Sequence, residues 1–503
     1  MAALPKFHYK ARLTLLQREQ IGEYMSISTR LKQCLFGLAC MVLVTCSGQG
    51  LVQTKTADVK PDTPFALTLT NLKSGLWRLD IELFEPQNAL MFSRSTHDYR
   101  IKSYKALSSG ARLERIGGFD TILFDPGVMN AGFEFTPFTG TLPGTYTPFI
   151  PFSDGGQAIY LGAFELLRIE NAGAVEALQG KLDAWTGEQF DIPVHLKTDG
   201  SILLDGQIIL GTAETSINGN GSYAYIGPTA LVEGNSFSGV LDPNLPNWLV
   251  EDFDKDLGQI FWALEDGFNR GLTDKATIMF AFRGYETEGF SNTGGVLPGG
   301  LMVLETSGNA MREPNERLRG YLHWFLTHEA THLFQHPDGV TYADKSDSWI
   351  LEGGANAMTH VILERLKTVP NDVIQGRYRD GFEYCVDAIQ NSSMAEITIK
   401  NNQSHYDCGD FVFRISDAAL PQHNIFEIWA ALLAHTNEDK SYNTATYFTA
   451  LLKLGADDTL VERLESFVEG PVQDPAKALR EMMKAVGIQA SFKDDALTAI
   501  RFP

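Results

Sequence analysis

Residues 324–336, Trp-Phe-Leu-Thr-His-Glu-Ala-Thr-His-Leu-Phe-Gln-His, constrain this chain more than any other stretch. They contain His328-Glu329-Ala330-Thr331-His332. Around that motif Leu318, Tyr321, Leu322, Phe325, Leu326 and Leu333 recur at helical spacing. The pattern predicts a helix, with Pro314 suited to its first turn and Pro337-Asp338-Gly339 as its stop. On such a helix His328 and His332 stand one turn apart on one face and can ligate a single ion. Glu329 projects beside them, where a carboxylate could take a proton from a metal-bound water. Taken alone, the motif is also compatible with two ordinary, partly buried histidines.

A catalytic zinc takes three protein ligands and leaves a fourth position open. Two carboxylates compete for the third place. Glu352 lies twenty residues after His332, in Trp349-Ile-Leu-Glu352-Gly-Gly-Ala-Asn356, at the start of a second helical pattern. If that helix returns antiparallel across the first, it brings Glu352 to the two imidazoles. Asp338 lies six residues after His332, a spacing that resembles metzincin-like sites, but those have a bend-making Gly where this chain has Gln335, and Pro337 and Gly339 would have to supply the turn instead. His336 is one turn further along and suits a cap or a surface position. Asn356, one turn after Glu352, is placed to accept a hydrogen bond from the outer ring nitrogen of a ligating histidine.

At 503 residues the chain is too long for one core, and two or three domains are expected. Hydrophobic content of 44% with 20% charged residues indicates a globular protein. A formal net charge of −21 argues against nucleic acid as a partner, since phosphate binding needs a basic stripe. Residues 1–46 read as a leader. Arg30 and Lys32 precede an apolar run at 34–44, which is followed by Thr45-Cys46-Ser47-Gly48. That run is too short to span a bilayer. Leu43-Val-Thr-Cys46 resembles a bacterial lipoprotein signal, with Met25 as the natural start and Cys46 as the lipidated residue. The expectation is an exported, periplasmic or outer-membrane lipoprotein, able to anchor in a membrane through Cys46. Outside the leader only Cys385 and Cys408 remain, and export would allow them to pair.

Residues 47–62 are polar and read as a tether. Residues 63–245 carry short strand-like runs (65–69, 76–83, 158–168, 202–204 and 208–210) between turn signals such as Asp205-Gly206, and so predict an all-β domain. A lone helix is expected at 174–187, and no motif for chemistry is found in the domain. From Pro246 the character changes. A helix over 248–270, a strand over 276–282 and a Gly-rich stretch lead to the motif helix, an α+β half over 246–345. A mostly helical half, 346–503, then offers Glu352. Its helices are expected at 350–367, 371–390, 409–419, 424–436, 444–454, 457–468 and 475–486.

The motif with Trp349-x-x-Glu352-Gly353 some twenty residues on resembles the gluzincin metallopeptidases, a group that includes the aminopeptidase N and glycyl aminopeptidase families. That resemblance implies a multidomain architecture: an N-terminal all-β domain, then a thermolysin-like α+β catalytic domain with a mostly helical C-terminal part. It implies one zinc per chain on His328, His332 and Glu352, with Glu329 as general base. Tyr406-Asp-Cys-Gly409 resembles the Y-x-K-G stretch whose tyrosine stabilises the oxyanion, with Cys408 in place of lysine. Tyr342 is the alternative donor. If Cys385 and Cys408 pair, the bond would pin the Tyr406 segment to the preceding helix. Gly294-Gly295-Val296-Leu297 aligns with the substrate-binding edge strand, but Leu297 replaces the glutamate that holds the substrate's α-amino group in those families. The implied function is peptide-bond hydrolysis by a metal-activated water on a peptide or protein substrate, without the anchor for strict aminopeptidase action. Two alternatives stand beside it: a lipid-anchored binding or scaffold protein that keeps the fold without catalysis, and a metallohydrolase acting on a non-peptide bond.

Overall fold

The computed structural model describes residues 63–503, apart from 73–74, 141, 143–145, 220, 229, 252, 298, 337–338 and 401. The expected leader with Cys46, the tether, and Asp338 lie outside the described residues.

The N-terminal unit is built from alternating strands. In Trp77–Leu83 the apolar Trp77, Leu79, Ile81 and Leu83 are buried while Arg78 and Glu82 face solvent, the period-two pattern of a strand with one wet face. This strand pairs antiparallel with Phe65–Asn71, which pairs parallel with Ile192–Leu204. The long hairpin Ile192–Leu204/Gln207–Ile217 turns at Asp205-Gly206, where both residues have positive φ (49° and 72°), as a two-residue turn between twisted strands requires. The result is a nine-stranded sheet packed with a four-stranded one. The expected strand at 158–168 is interrupted by a 3-10 turn at Leu161–Phe164. The expected helix at 174–187 shortens to Ala172–Ala177, capped by Asn171, and a 3-10 turn at Leu182–Ala184.

The second unit begins earlier than the composition change at Pro246 suggests. Val232–Glu233 and Phe237–Leu241 hydrogen-bond into the sheet of the α+β half. Nothing in their sequence separates them from the preceding β region; only the strand they pair with does. The sheet has five strands in the order Val232–Glu233, Phe237–Leu241, Ala276–Phe282, Leu301–Ser307, Ser291–Leu297. The middle three are parallel, and Ser291–Leu297 lies antiparallel at the edge. Helix α1 (Phe253–Phe268) makes the crossover between the first two parallel strands. It is preceded by a separate turn of helix, Asn247–Val250, where one helix over 248–270 was expected.

Both faces of this sheet are covered. Leu297, Leu301, Val303, Met279 and Ala281 join the core of the N-terminal unit. Met302, Leu304, Ile278 and Phe280 join the core built with the helices. Each of these side chains larger than alanine contributes about 1.5–3 kcal/mol relative to exposure. That double burial fixes the edge strand against both units.

On the helical side lie α2 (Glu316–Gln335), α3 (Ser348–Leu366), α4 (Asn371–Ile389) and α5 (Asn402–Ala419). Four further helices, Ile425–Leu433, Thr444–Lys453, Asp458–Glu469 and Pro475–Ala485, lie close to their expected spans. Helix α5 starts seven residues before the expected 409, because its first turns are polar and show no apolar stripe. The helix Met394–Lys400 and the terminal hairpin Gln489–Lys493/Ala496–Arg501 were not apparent in the sequence.

Candidate active site

Helix α2 starts two residues later than Pro314 at its first position would set it. Asn315 is the cap and accepts from the Leu318 N–H at 3.0 Å, so Pro314 lies before the helix. Residues 322–332 are all buried, so each polar side chain among them needs a partner or a ligand. Thr327 and Thr331 donate back to the carbonyls of His323 and Thr327. The two motif histidines meet Glu352 across the helix interface.

His328 Nε2, His332 Nε2 and Glu352 Oε2 form a triangle with edges of 3.0, 3.2 and 3.3 Å. These three residues form a group of donor atoms able to hold a metal ion. Ligand atoms about 2.0–2.1 Å from a tetrahedral zinc stand roughly 3.3 Å apart, so the donor set fits that ion in type and spacing. Burial lowers the His328 pKa to about 4, against the pull of Glu352, leaving the ring neutral and able to ligate. Burial also pulls His332 down, but the Glu352 carboxylate outweighs it and the net shift is upward. Glu352 is driven well below the usual range, the two histidines overcoming its burial.

An amide holds the outer nitrogen of the His332 ring. His332 Nδ1 meets Gln335 Oε1 at 2.7 Å, and Gln335 Nε2 donates to the Leu351 carbonyl at 3.1 Å. Asn356 Nδ2 donates to the Tyr406 carbonyl at 3.2 Å. Its Oδ1 and His328 Nδ1 are both buried without a hydrogen-bond partner among the described residues. Asn356 therefore ties α3 to the Tyr406 segment, and the bond to a ligating histidine expected of it is not formed. Gln335 was missed, although its position three residues after His332 on the same helix was a signal that could have found it.

Glu329 is buried, and burial raises its pKa to about 8, with Glu352 pushing further and His332 pulling back. The Tyr406 ring lies 5.6 Å from the His328 ring, centre to centre. Tyr342, the alternative donor, is near enough to Glu352 that burial and then that charge raise its pKa. His336 is no part of the triad; its Nδ1 bonds the Val340 carbonyl at the helix end. Cys385 and Cys408 are disulfide-bonded and tie α4 to α5.

The Gly-rich segment is the edge strand Ser291–Leu297, and it packs on α2. A Cβ on Gly294 would meet the Phe325 ring at 3.1 Å. Val296 is half-buried on the helix side, while Gly295 has open space where a Cβ would be. Leu297 is only 3% exposed and faces the N-terminal core. The N-terminal unit, which offered no motif, contributes Tyr146. This half-exposed tyrosine has a pKa raised by burial and by neighbouring charges that include Glu329.

Fold and site together define a class: a thermolysin-like α+β unit with a His-His-Glu triad beneath an N-terminal β unit. No family model matches the chain, and no curated protein matches its sequence. Solved structures do share the fold. An aminopeptidase N family protein from Idiomarina loihiensis superposes with a TM-score of 0.59 at 11% identity, over 86% of this chain and 80% of that one. LTA4 hydrolase from Saccharomyces cerevisiae reaches 0.47 at 10% identity, over 82% and 69%, too distant a likeness to argue from. The architecture is therefore that of the aminopeptidase N type, as the motifs implied.

Proposed function

We propose that this protein is an exported zinc-dependent metallopeptidase. The observation that carries the proposal is the convergence of His328, His332 and Glu352 to within 3.0–3.3 Å beside the buried Glu329. One zinc per chain, held by those three side chains, would polarise the scissile carbonyl and acidify a water. Glu329 takes the proton from that water as its oxygen attacks the carbonyl carbon. It then delivers the proton to the amine nitrogen as the C–N bond breaks, leaving a carboxylic acid and an amine, which become carboxylate and ammonium by passing the acid proton to the amine. The Tyr406 hydroxyl is the donor proposed for the oxyanion. Gln335 holds the His332 imidazole in one tautomer and orientation. The edge strand Ser291–Leu297 receives an extended peptide by strand addition. Since Leu297 is neutral and turned into the core, it supplies no anchor for an α-ammonium group. Residues 34–46 support export with a lipid at Cys46.

Leu297 also favours a second reading, a lipid-anchored binding protein that keeps this fold without catalysis. Metal analysis and a peptide-library digestion of wild type and Glu329→Gln separate the two. The peptidase requires about one zinc in both proteins and turnover lost in the variant. Full activity of Glu329→Gln would exclude the mechanism, and absence of both zinc and cleavage would favour the binding protein.

A further inference from the structure

Residues opposite one another in an antiparallel pair point to the same face. Thr293 pairs with Glu305, Gly295 with Val303 and Leu297 with Leu301. Leu297, Leu301 and Val303 all face the N-terminal unit, so Thr293, Gly295 and Glu305 face it too. Between that face and the N-terminal unit lies a cavity bounded by Tyr146, Tyr223, Thr293, Gly295 and Glu305. Gly295 leaves it open, since a Cβ there would meet nothing within 4 Å.

The cavity adjoins the proposed chemistry. Among the described residues the outer edge of Ser291–Leu297 pairs with no strand. The strand passes over Phe325 of α2, whose ring is 6.4 Å from that of His328. Tyr146, in the cavity wall, feels the charge of Glu329. A peptide strand added to the free edge would have alternate side chains on each face of the extended sheet. The side chain beside Thr293 and Gly295, on the N-terminal face, would enter this cavity.

The lining sets its chemistry. Glu305 is largely buried and, among the described residues, accepts no hydrogen bond from a side chain; Arg283 is 3.6 Å away. That is well beyond the 2.7–2.9 Å of a charge-assisted hydrogen bond. Arg283 is also committed elsewhere, donating to the Thr139 carbonyl and lining a separate hollow with Tyr285. Tyr146 and Tyr223 stand edge to face, 6.3 Å apart, and supply aromatic surface. A carboxylate with unfilled acceptor capacity beside tyrosine rings suits a cation on an apolar stem. We propose that this cavity is a subsite for a lysine or arginine side chain of a peptide bound along the edge strand, with Glu305 as its specificity-determining residue. This rests on the metallopeptidase proposal.

The test uses full-length, zinc-loaded protein and pentapeptide sets that differ at one position among lysine, arginine, norleucine and glutamate. Cleavage is followed by mass spectrometry, and binding by calorimetry in Glu329→Gln. At one position relative to the scissile bond, lysine and arginine should exceed norleucine by about tenfold or more, the worth of one charged hydrogen bond. Glu305→Gln should flatten that preference. Thr293→Lys, which places an ammonium opposite Glu305 from a partly exposed position, should flatten it as well, guarding against a folding defect in the first variant. Cleavage without a basic preference, or a preference that both variants retain, overturns the subsite and leaves the peptidase standing. If no peptide is cleaved, the peptidase proposal fails and binding in Glu329→Gln decides the subsite alone. Tighter binding of the lysine and arginine sets that is lost on adding Glu305→Gln supports it; equal binding of the norleucine set overturns it.

Discussion

Gly353 and Gly409 meet where α3 crosses α5: a Cβ on Gly409 would lie 2.8 Å from the Gly353 Cα and 2.6 Å from the Trp349 carbonyl oxygen. Gly353 directly follows the ligand Glu352, and Gly409 comes three residues after Tyr406. The glycines of the two motifs are therefore one contact, and backbone approach there sets how near Tyr406 comes to the triad. Gly353→Ala or Gly409→Ala should push the helices apart, costing about 1–3 kcal/mol as overpacking does. Zinc affinity should fall with stability. Thermal unfolding and a chelator competition check both, and wild-type values for either variant would refute the role given to this contact.

Gln335 is fixed from both ends, with Oε1 toward His332 Nδ1 and Nε2 on the Leu351 carbonyl. Gln335→Leu removes the acceptor while keeping similar bulk. Loss of such an outer partner lowers metal affinity roughly 10–100-fold. Zinc dissociation constants by competitive titration measure this, and an affinity unchanged in the variant would show that the amide does not hold the ring.

The disulfide joins α4 to α5 across a sequence separation of 23 and buries both cysteines. Closing a loop of that size restricts the unfolded chain by about 3 kcal/mol. The Cys385→Ala/Cys408→Ala double variant should lose a comparable amount in denaturant unfolding. Thiol titration of denatured, unreduced protein should find no free thiol at either position. Two free thiols there would mean that the bond does not form.

What the sequence disclosed follows from how locally each feature is encoded. The motif helix, Glu352 and the apolar C-terminal helices were legible because ligand spacing and helical periodicity are written within about twenty residues. Gln335's contact with His332 was written there too, three residues along the same helix, but its second bond, to the Leu351 carbonyl of another helix, was not. Tyr146 was not, because only packing of the N-terminal unit on the sheet brings it near Glu329. The strand Phe237–Leu241 was placed in the wrong unit for the same reason, since its partner Ala276–Phe282 lies beyond a whole helix. The early start of α5 was hidden because its first turns, Asn402 to Asp407, are polar around Tyr406.

Asp407 gives stability a pH dependence unconnected with catalysis. Burial raises its pKa from 3.8 to about 7, with Arg377 and the Gln403 hydrogen bond pulling the other way. The folded protein thus holds this proton over a range where the unfolded chain has released it. Below about pH 4 both states are protonated and the group has no effect. As pH rises from 4 toward 7 the unfolded state ionises first, so the contribution of Asp407 to stability falls. Above 7 the penalty levels off, at no more than about 4 kcal/mol for a shift of this size. Asp407→Asn keeps the shape and removes the charge, so its melting temperature should gain on wild type progressively between pH 4 and 7 and then hold that lead. Melting curves that stay parallel from pH 4 to 8 would mean that the carboxyl is not held protonated in the folded state.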